Sequence, residues 1–168
     1  MQRPLKEFLA RTPFFGGLDE GSLDRLSAML KRHTFREGTT IFVEGDRGAS
    51  MYLIQSGEIL MVRSGREGQQ VRLVRLRPGD FFGETTLIEM QPRPATAHAE
   101  TDVVLLELTN MDLYRFYQAD VRGYVMVLQN INRELCRRLR AADGRVTTLA
   151  SASDDRDVTQ IAYVKPLR

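Results

Sequence analysis

The feature that most constrains the fold is a series of short β-prone runs within residues 40–108. Most of the runs are rich in Val, Ile, Leu or Tyr, and glycine-containing turns separate the first five. The runs occupy residues 40–43, 51–54, 58–62, 71–76, 95–99 and 103–108. Because no long helix interrupts them, they predict a mainly β fold, an antiparallel β-roll of the jelly-roll type.

Helical patterns flank these runs on both sides. Residues 18–31 begin with Asp19 as an N-cap and carry leucines at helical spacing. After the runs, Thr109 and Asp112 have the spacing of a capping box, and Asp120 is a second candidate N-cap. The roll is therefore expected to have an N-terminal helix and C-terminal helices.

The last helix carries an apolar stripe that has two interpretations. Tyr124, Leu128, Ile131 and Leu135 follow one another at spacings typical of one helix face. Such a stripe commonly packs against its own domain, but the same spacing matches a coiled-coil seam that would form a homodimer. Two heptads do not decide between these interpretations.

Length and composition fit one globular domain of 168 residues with a polar end. The net charge is only +2, so the chain as a whole shows no preference for DNA or for an anionic membrane. The N-terminus has no apolar run of the length that a signal sequence or membrane span needs, and we expect a cytoplasmic protein. After Gly144, residues 147–157 are small and polar, which predicts a flexible tail at 146–168 with a short ordered piece at 161–164.

The sequence has no pattern typical of a catalytic or metal site. His33 and His98 lie in separate segments without a ligand-spaced partner, and His98 is interpreted as an ordinary strand residue. Cys136 is the only cysteine, so no internal disulfide is expected. We expect neither an enzyme nor a metal or cofactor.

The segment at 78–99 has the residues of an anion site. Gly83 allows the backbone to approach a ligand, and the residues after it favour a short helical turn with free N–H groups. Arg93 stands between Pro92 and Pro94, where a fixed guanidinium can donate paired hydrogen bonds to a phosphate. Glu84 has two interpretations: it accepts a hydrogen bond from a sugar hydroxyl beside that phosphate, or it forms an ion pair with Arg93 that braces the loop.

These residues resemble the phosphate-binding cassette of the cyclic nucleotide-binding domain family, which includes catabolite-activator-type regulators, regulatory subunits of cyclic-nucleotide-dependent kinases and nucleotide-gated channels. The cassette reads Phe-Gly-Glu, then apolar residues, then Pro-Arg-x-Ala-Thr or Ser. The matching residues are Phe82, Gly83, Glu84, Leu87, Ile88, Pro92, Arg93, Ala95 and Thr96. The resemblance covers about residues 1–145 and implies a nucleotide-binding domain there, with cyclic AMP or cyclic GMP as its ligand.

The resemblance also implies individual roles. Glu84 would bind the ribose 2′-hydroxyl, Arg93 the cyclic phosphate, and Gly83 and Thr85 would offer backbone groups. The predicted ligand-binding residues are Phe82, Gly83, Glu84, Thr85, Arg93, Pro94 and Ala95.

Two departures from the cassette are evident. Pro94 has no N–H where the family often donates one to the ligand. Thr85 and Thr86 replace a usually apolar pair, so we expect a less buried turn.

A non-enzymatic sensor is the function that the resemblance implies. Binding would be transmitted through the C-terminal helix, where residues 133–143 would contact the base, to an unknown protein partner or a second copy. Four arginines of this helix could contact DNA, but a solvated face explains them better, and the tail is too short for a helix-turn-helix. We therefore expect no direct DNA binding and no membrane partner. The alternative is a degenerate domain that keeps the roll as a protein-interaction or dimerisation scaffold and binds no nucleotide.

Overall fold

The computed structural model describes residues 3–65, 67–89 and 91–152. The helices are α1 (Arg3–Arg11), α2 (Glu20–Met29), α3 (Glu84–Glu89), α4 (Asn110–Ala119) and α5 (Val121–Ala152), with a 3₁₀ turn at Pro13–Phe15. The strands are β1 (Lys31–Phe35), β2 (Thr40–Phe42), β3 (Ser50–Ser56), β4 (Ile59–Ser64), β5 (Gln70–Leu76), β6 (Phe81–Phe82), β7 (Thr96–Ala99) and β8 (Val103–Thr109).

The described strands form two antiparallel sheets of four strands each, with the orders β1-β8-β3-β6 and β2-β7-β4-β5. This confirms the predicted antiparallel β-roll with an N-terminal helix and C-terminal helices. Each predicted β-prone run corresponds to a strand, and the ends of that strand lie within two residues of the expected ones.

Two strands, β1 and β6, and one helix, α1, were not predicted from the sequence. β1 begins with Lys31, Arg32 and His33, which show no apolar alternation, and it becomes a strand by pairing along β8. β6 is only Phe81–Phe82 and pairs with two residues of β3. Helix α1 was also not predicted.

A hydrophobic core fills the interior of the roll. Its members come from both sheets, as expected when the inner faces of two sheets pack together. The buried residues of this core are Phe42, Ile54, Ile59, Leu76, Phe82, Ala97, Ala99, Val103 and Leu105. Phe35, Ile41, Tyr52 and Met61 are partly buried against them.

The predicted helix caps are confirmed. Asp19 accepts a hydrogen bond of 2.7 Å from the backbone N–H of Ser22 at the start of α2. Thr109 and Asp112 form the reciprocal capping box of α4. Asp120 accepts a hydrogen bond of 2.9 Å from the Gly123 N–H at the start of α5. These caps satisfy N–H groups that the first helical turn leaves unpaired.

The beginning of α5 is tied to the N-terminal elements. The buried amide of Asn130 donates hydrogen bonds to the carbonyls of Phe14, at 3.0 Å, and Gly16, at 2.8 Å. At the helix start, the Ser22 hydroxyl donates to the carboxylate of Asp120. Polar contacts therefore hold both the residue that precedes α5 and the third turn of this helix.

The apolar stripe of α5 packs only in part as predicted. Ile131 is fully buried, which confirms packing for this residue, while Tyr124 and Leu128 are partly exposed. Val127 is also fully buried and was not assigned to the stripe. Self-association through this helix stays a prediction.

Helix α5 does not end near Gly144, as the sequence had suggested. It continues to Ala152, so residues 146–152 of the expected tail are helical. One glycine costs a helix only about 1 kcal/mol relative to alanine, which a long helix tolerates. The chain divides into two compact units between Ile131 and Asn132. Residues 153–168, including the expected ordered piece at 161–164, lie outside the described residues, and flexibility of the tail stays a prediction.

Within the described part of the chain, we found no helix with the length and apolarity that crossing a bilayer requires.

Candidate functional site

The predicted site residues lie between β6 and β7, around the short helix α3. Phe82 ends β6, Gly83 follows it, and α3 begins at Glu84. Arg93 lies in the loop that leads into β7. Its backbone N–H donates to the Asp46 carbonyl at 2.8 Å, and its own carbonyl accepts from the Gly45 N–H at 2.9 Å. The β2–β3 turn therefore fixes the backbone from which the arginine side chain extends.

The guanidinium of Arg93 is buried inside this region. The residue is only 4% exposed. Its Nη1 donates to the Gly83 carbonyl at 3.1 Å and to the Thr86 hydroxyl at 2.9 Å. The guanidinium carbon lies 4.1 Å from the centre of the Phe42 ring. All of these partners are uncharged.

No described carboxylate forms an ion pair with Arg93 within 4.0 Å. The bracing ion pair between Glu84 and Arg93, which the sequence left open, is therefore not formed. Burial lowers the pKa of the Arg93 guanidinium, and the nearby Tyr52, Asp46, Glu107 and Glu84 act in the opposite direction. A guanidinium stays protonated even so, and a buried cation among neutral partners favours an anionic ligand.

Two glycines leave room for this side chain. A Cβ atom at Gly48 or at Gly83 would overlap the Arg93 guanidinium. Gly83 also has a φ of +79°, a conformation that other residues rarely adopt. Gly83 was predicted from the sequence as a site residue, whereas Gly48 was not. The only sequence signal for Gly48 was its place in the turn that follows β2.

Glu84 is buried at the first position of α3, with 4% of its surface exposed. Gly83 and Thr86, which flank Glu84 in sequence, both accept hydrogen bonds from Arg93, so the structure brings the two predicted binding residues into one region. A buried carboxylate near a buried guanidinium can accept a hydroxyl hydrogen bond while the cation offsets its charge.

The expectation of a less buried turn is wrong at Thr86. This residue is 1% exposed, because its hydroxyl is satisfied inside the protein. It donates to the Gly83 carbonyl at 2.8 Å and accepts from Arg93. Thr85, by contrast, is partly exposed.

The remaining predicted residues differ in exposure. Phe82 is 2% exposed. Its ring stacks on that of Tyr52, with centres 5.5 Å apart, and is tilted against that of Phe42, with centres 5.8 Å apart. Ala95 is buried, whereas Pro94 is exposed. Phe82 therefore belongs to an aromatic cluster with Phe42 and Tyr52, in which the Phe42 ring lies against the guanidinium. Pro94 lies at the surface of the loop.

A hydrogen-bonded series of side chains that was not predicted from the sequence includes Tyr52 of this aromatic cluster. The Ser50 hydroxyl donates to the Tyr52 hydroxyl at 3.4 Å, and Tyr52 donates to Glu107 at 3.3 Å. The other carboxylate oxygen of Glu107 lies 2.7 Å from Nε2 of His33. Burial raises the pKa of the Tyr52 hydroxyl. These residues come from β1, β3 and β8, so only the strand register brings them together.

A cavity of about 420 Å³ lies beside α3. Leu87 of α3 lines it together with Tyr124 of α5 and several residues of α4. The α4 residues are Asn110, Met111, Leu113, Tyr114 and Tyr117. The helix that begins at Glu84 therefore shares a cavity wall with the elements that follow the roll.

Metal ligands are not clustered in the described ranges, where no group of three His, Cys, Asp or Glu side chains could hold an ion. His98 lies 3.0 Å from the Thr40 hydroxyl through Nδ1 and makes an ordinary strand contact. Cys136 is exposed and reduced.

Residues 32–120 match the sequence profile of the cyclic nucleotide-binding domain family, and the chain belongs to this family. It is 35% identical over 157 residues to the cyclic AMP receptor protein of Thermus thermophilus, covering 94% of this chain and 70% of that protein. It is 30% identical over 145 residues to a CRP-like cAMP-activated global transcriptional regulator of Mycobacterium tuberculosis, covering 86% of this chain and 63% of that protein.

Among solved structures, the chain is similar to the catabolite activator protein of Thermus thermophilus. The TM-score is 0.73 at 33% identity, and the match covers 83% of this chain and 63% of that chain. The matched regulators are thus longer than the part that this chain spans.

Proposed function

We propose that this chain binds a cyclic nucleotide at the segment formed by Phe82, Gly83, Glu84, Thr85, Arg93, Pro94 and Ala95. The observation that carries the proposal is the buried Arg93 guanidinium, whose described hydrogen-bond partners are all neutral. A phosphate would supply the missing negative charge through charge-assisted hydrogen bonds, each of which contributes on the order of 1.5 to 3 kcal/mol.

Glu84 supports a sugar phosphate rather than a bare anion. Its buried carboxylate would repel an isolated phosphate, but it would accept a hydrogen bond from the ribose 2′-hydroxyl of the same ligand. Cyclic AMP and cyclic GMP both present this pair of groups. Two curated relatives carry cyclic AMP in their names, so cyclic AMP is the first ligand to test.

The role that we propose for binding is regulatory and not catalytic. Ligand binding would be transmitted through the C-terminal helix to a protein partner or a second copy. The cavity shared by Leu87 and Tyr124 supports this route, because a shift of α3 would change the surroundings of α5. Cytoplasmic location, absence of direct DNA binding and absence of a membrane partner stay predictions.

Isothermal titration with cyclic AMP and with cyclic GMP tests the proposal. We expect saturable binding of at least one nucleotide by the wild type and none by Arg93→Ala. Arg72→Ala is the matched control, because Arg72 is exposed and lies on β5, away from the cassette. Equal binding by the Arg93→Ala variant, or no binding by the wild type at high micromolar nucleotide, would contradict it. Sedimentation with and without nucleotide tests the homodimer.

A second candidate function is a scaffold that binds no nucleotide. Pro94 favours it because this residue has no N–H to donate, and so does the saturation of Arg93 Nη1 by Gly83 and Thr86. A thermal shift assay separates the two functions. A scaffold would keep the same melting temperature at saturating nucleotide, whereas a binding domain would be stabilised by its ligand.

A further inference from the structure

The hydroxyl of Thr86 has a defined direction in its buried site. A hydroxyl carries one proton, and that of Thr86 is donated to the Gly83 carbonyl at 2.8 Å. A lone pair of the same oxygen accepts from Nη1 of Arg93 at 2.9 Å. The hydroxyl therefore both donates and accepts a hydrogen bond, and both partners belong to the candidate nucleotide site.

An aromatic ring and two backbone segments surround the Arg93 guanidinium. The Phe42 ring lies against it at 4.1 Å, and the backbones at Gly48 and Gly83 pack closely against it. Hydrogen bonds to Nη1 determine which edge of the group turns toward a ligand. The Thr86 hydroxyl is the side chain that receives such a bond.

The hydrogen bonds at Nη1 do not use the second edge of the guanidinium, which lies beside the backbone at Gly48. In the described part of the chain, neither Nε nor Nη2 of Arg93 donates a hydrogen bond to protein. These two nitrogens form the side-on edge of the guanidinium fork, which suits a phosphate with two oxygens in reach.

We propose that Thr86 is a positioning residue that holds Nη1 of Arg93, so that Nε and Nη2 are the donors offered to the cyclic phosphate. The inference rests on the proposed function, since it assigns the orientation of Arg93 in the same site. It predicts that this threonine increases affinity by preorganising the arginine before the ligand arrives.

Two substitutions separate the hydroxyl from the shape of the side chain. Thr86→Val keeps the branched shape and removes the hydroxyl, whereas Thr86→Ser keeps the hydroxyl. In titrations with cyclic AMP we expect the valine variant to bind about tenfold more weakly, the effect of losing one charge-assisted hydrogen bond. We expect the serine variant to stay within about twofold of the wild type, because it retains that bond.

A second readout distinguishes positioning from a general structural role. The two phosphorothioate diastereomers of cyclic AMP each replace a different exocyclic oxygen by sulfur. A wild-type protein with an oriented guanidinium should bind the two diastereomers with different affinities. This difference in affinity should be smaller in Thr86→Val. Thermal unfolding of each free variant checks the fold, and Thr86→Ala replaces the valine variant if that variant is unfolded.

The outcomes are distinct. The role of Thr86 is supported if Thr86→Val binds cyclic AMP more weakly and shows a smaller affinity difference between the two diastereomers, while Thr86→Ser binds cyclic AMP as the wild type does. Unchanged binding by the valine variant, or an equal loss for both diastereomers, overturns it while leaving the proposed function intact. If neither the wild type nor the variants bind cyclic AMP or cyclic GMP, the proposed function fails and this role fails with it.

Discussion

The guanidinium carbon of Arg93 lies 4.1 Å from the centre of the Phe42 ring. Phe42 ends β2, and Arg93 belongs to the loop before β7, so the contact joins two separate parts of the chain. The negative face of an aromatic ring attracts a cation, and the attraction is larger where water is excluded. This pair therefore contributes to the stability of the site in which we propose that a phosphate binds.

A double-mutant cycle measures this contact. We expect Phe42→Leu to lower the free energy of unfolding by about 2 kcal/mol, from lost core volume and lost cation–π attraction together. Combined with Arg93→Met, the two substitutions should show a coupling energy of about 1 kcal/mol in urea unfolding. The control cycle pairs Phe42→Leu with Arg72→Met, which should be additive. Additivity in both cycles would show that the ring and the cation do not interact.

Gly48→Ala should displace the Arg93 guanidinium, because the added methyl group would overlap it. A Cβ at this position would collide with the Arg93 guanidinium, so the side chain must move, and we expect nucleotide binding to weaken at least about tenfold. The melting temperature should fall in the wild-type background and not in an Arg93→Ala background, where the overlap is absent. Gly144→Ala is the control, because no atom lies within 4 Å of the added carbon. Normal nucleotide affinity in Gly48→Ala would be the contrary result.

Asp120 should contribute a pH-dependent part of stability. Hydrogen bonds from the Ser22 hydroxyl and the Gly123 N–H hold the pKa of its carboxyl below the ordinary value of 3.8. Because the folded-state pKa is lower, the unfolded chain takes up the proton first as the pH falls. The contribution is therefore complete above about pH 4 and is lost as the pH falls through the folded-state pKa.

The corresponding experiment compares the wild type with Asp120→Asn in urea unfolding at pH 7 and at about pH 2.5. We expect the variant to be the less stable protein at pH 7, and the difference to shrink at acid pH. Asp143→Asn, at an exposed position of α5, is the control and should show no such change. A difference between Asp120→Asn and wild type that is the same at both pH values would contradict the assignment.

Asn130→Ala should loosen the beginning of α5. The substitution leaves the carbonyls of Phe14 and Gly16 without the amide that now donates to them, which costs about 1 to 3 kcal/mol for buried groups. Thermal unfolding measures the loss. Gln129→Ala, on the exposed side of the same turn, should change stability by less than about 0.5 kcal/mol. Equal melting temperatures for the two variants would show that the amide bonds contribute nothing.

Features set by local sequence could be predicted. The capping box of Thr109 and Asp112 depends on residues three apart, and the prediction was confirmed. The β-prone runs became strands because their composition and their turns agree with the roll. The candidate anion site was predicted from Gly83 and Arg93, since both belong to one short segment. The structure brings these residues and Glu84 into one region, and anion binding there stays a prediction.

Features that depend on distant pairing could not be predicted. The contact of Phe42 with Arg93, and the chain from His33 through Glu107 to Tyr52, require the register of strands far apart in sequence. The burial of Thr86 was missed because a hydroxyl is hydrophilic in isolation, and only the fold supplies its two partners. The end of α5 was misplaced because a glycine in a long helix is a small penalty and not a stop.

The tyrosine rings that line the cavity with Leu87 provide an intrinsic fluorescence signal. Tyr117 and Tyr124 touch edge to face with centres 5.1 Å apart, and both line the cavity beside α3. The chain contains no tryptophan, so tyrosine emission is not masked by a stronger fluorophore. If ligand binding displaces Leu87, the packing of these rings will change, and tyrosine emission can then test in real time whether α3 moves.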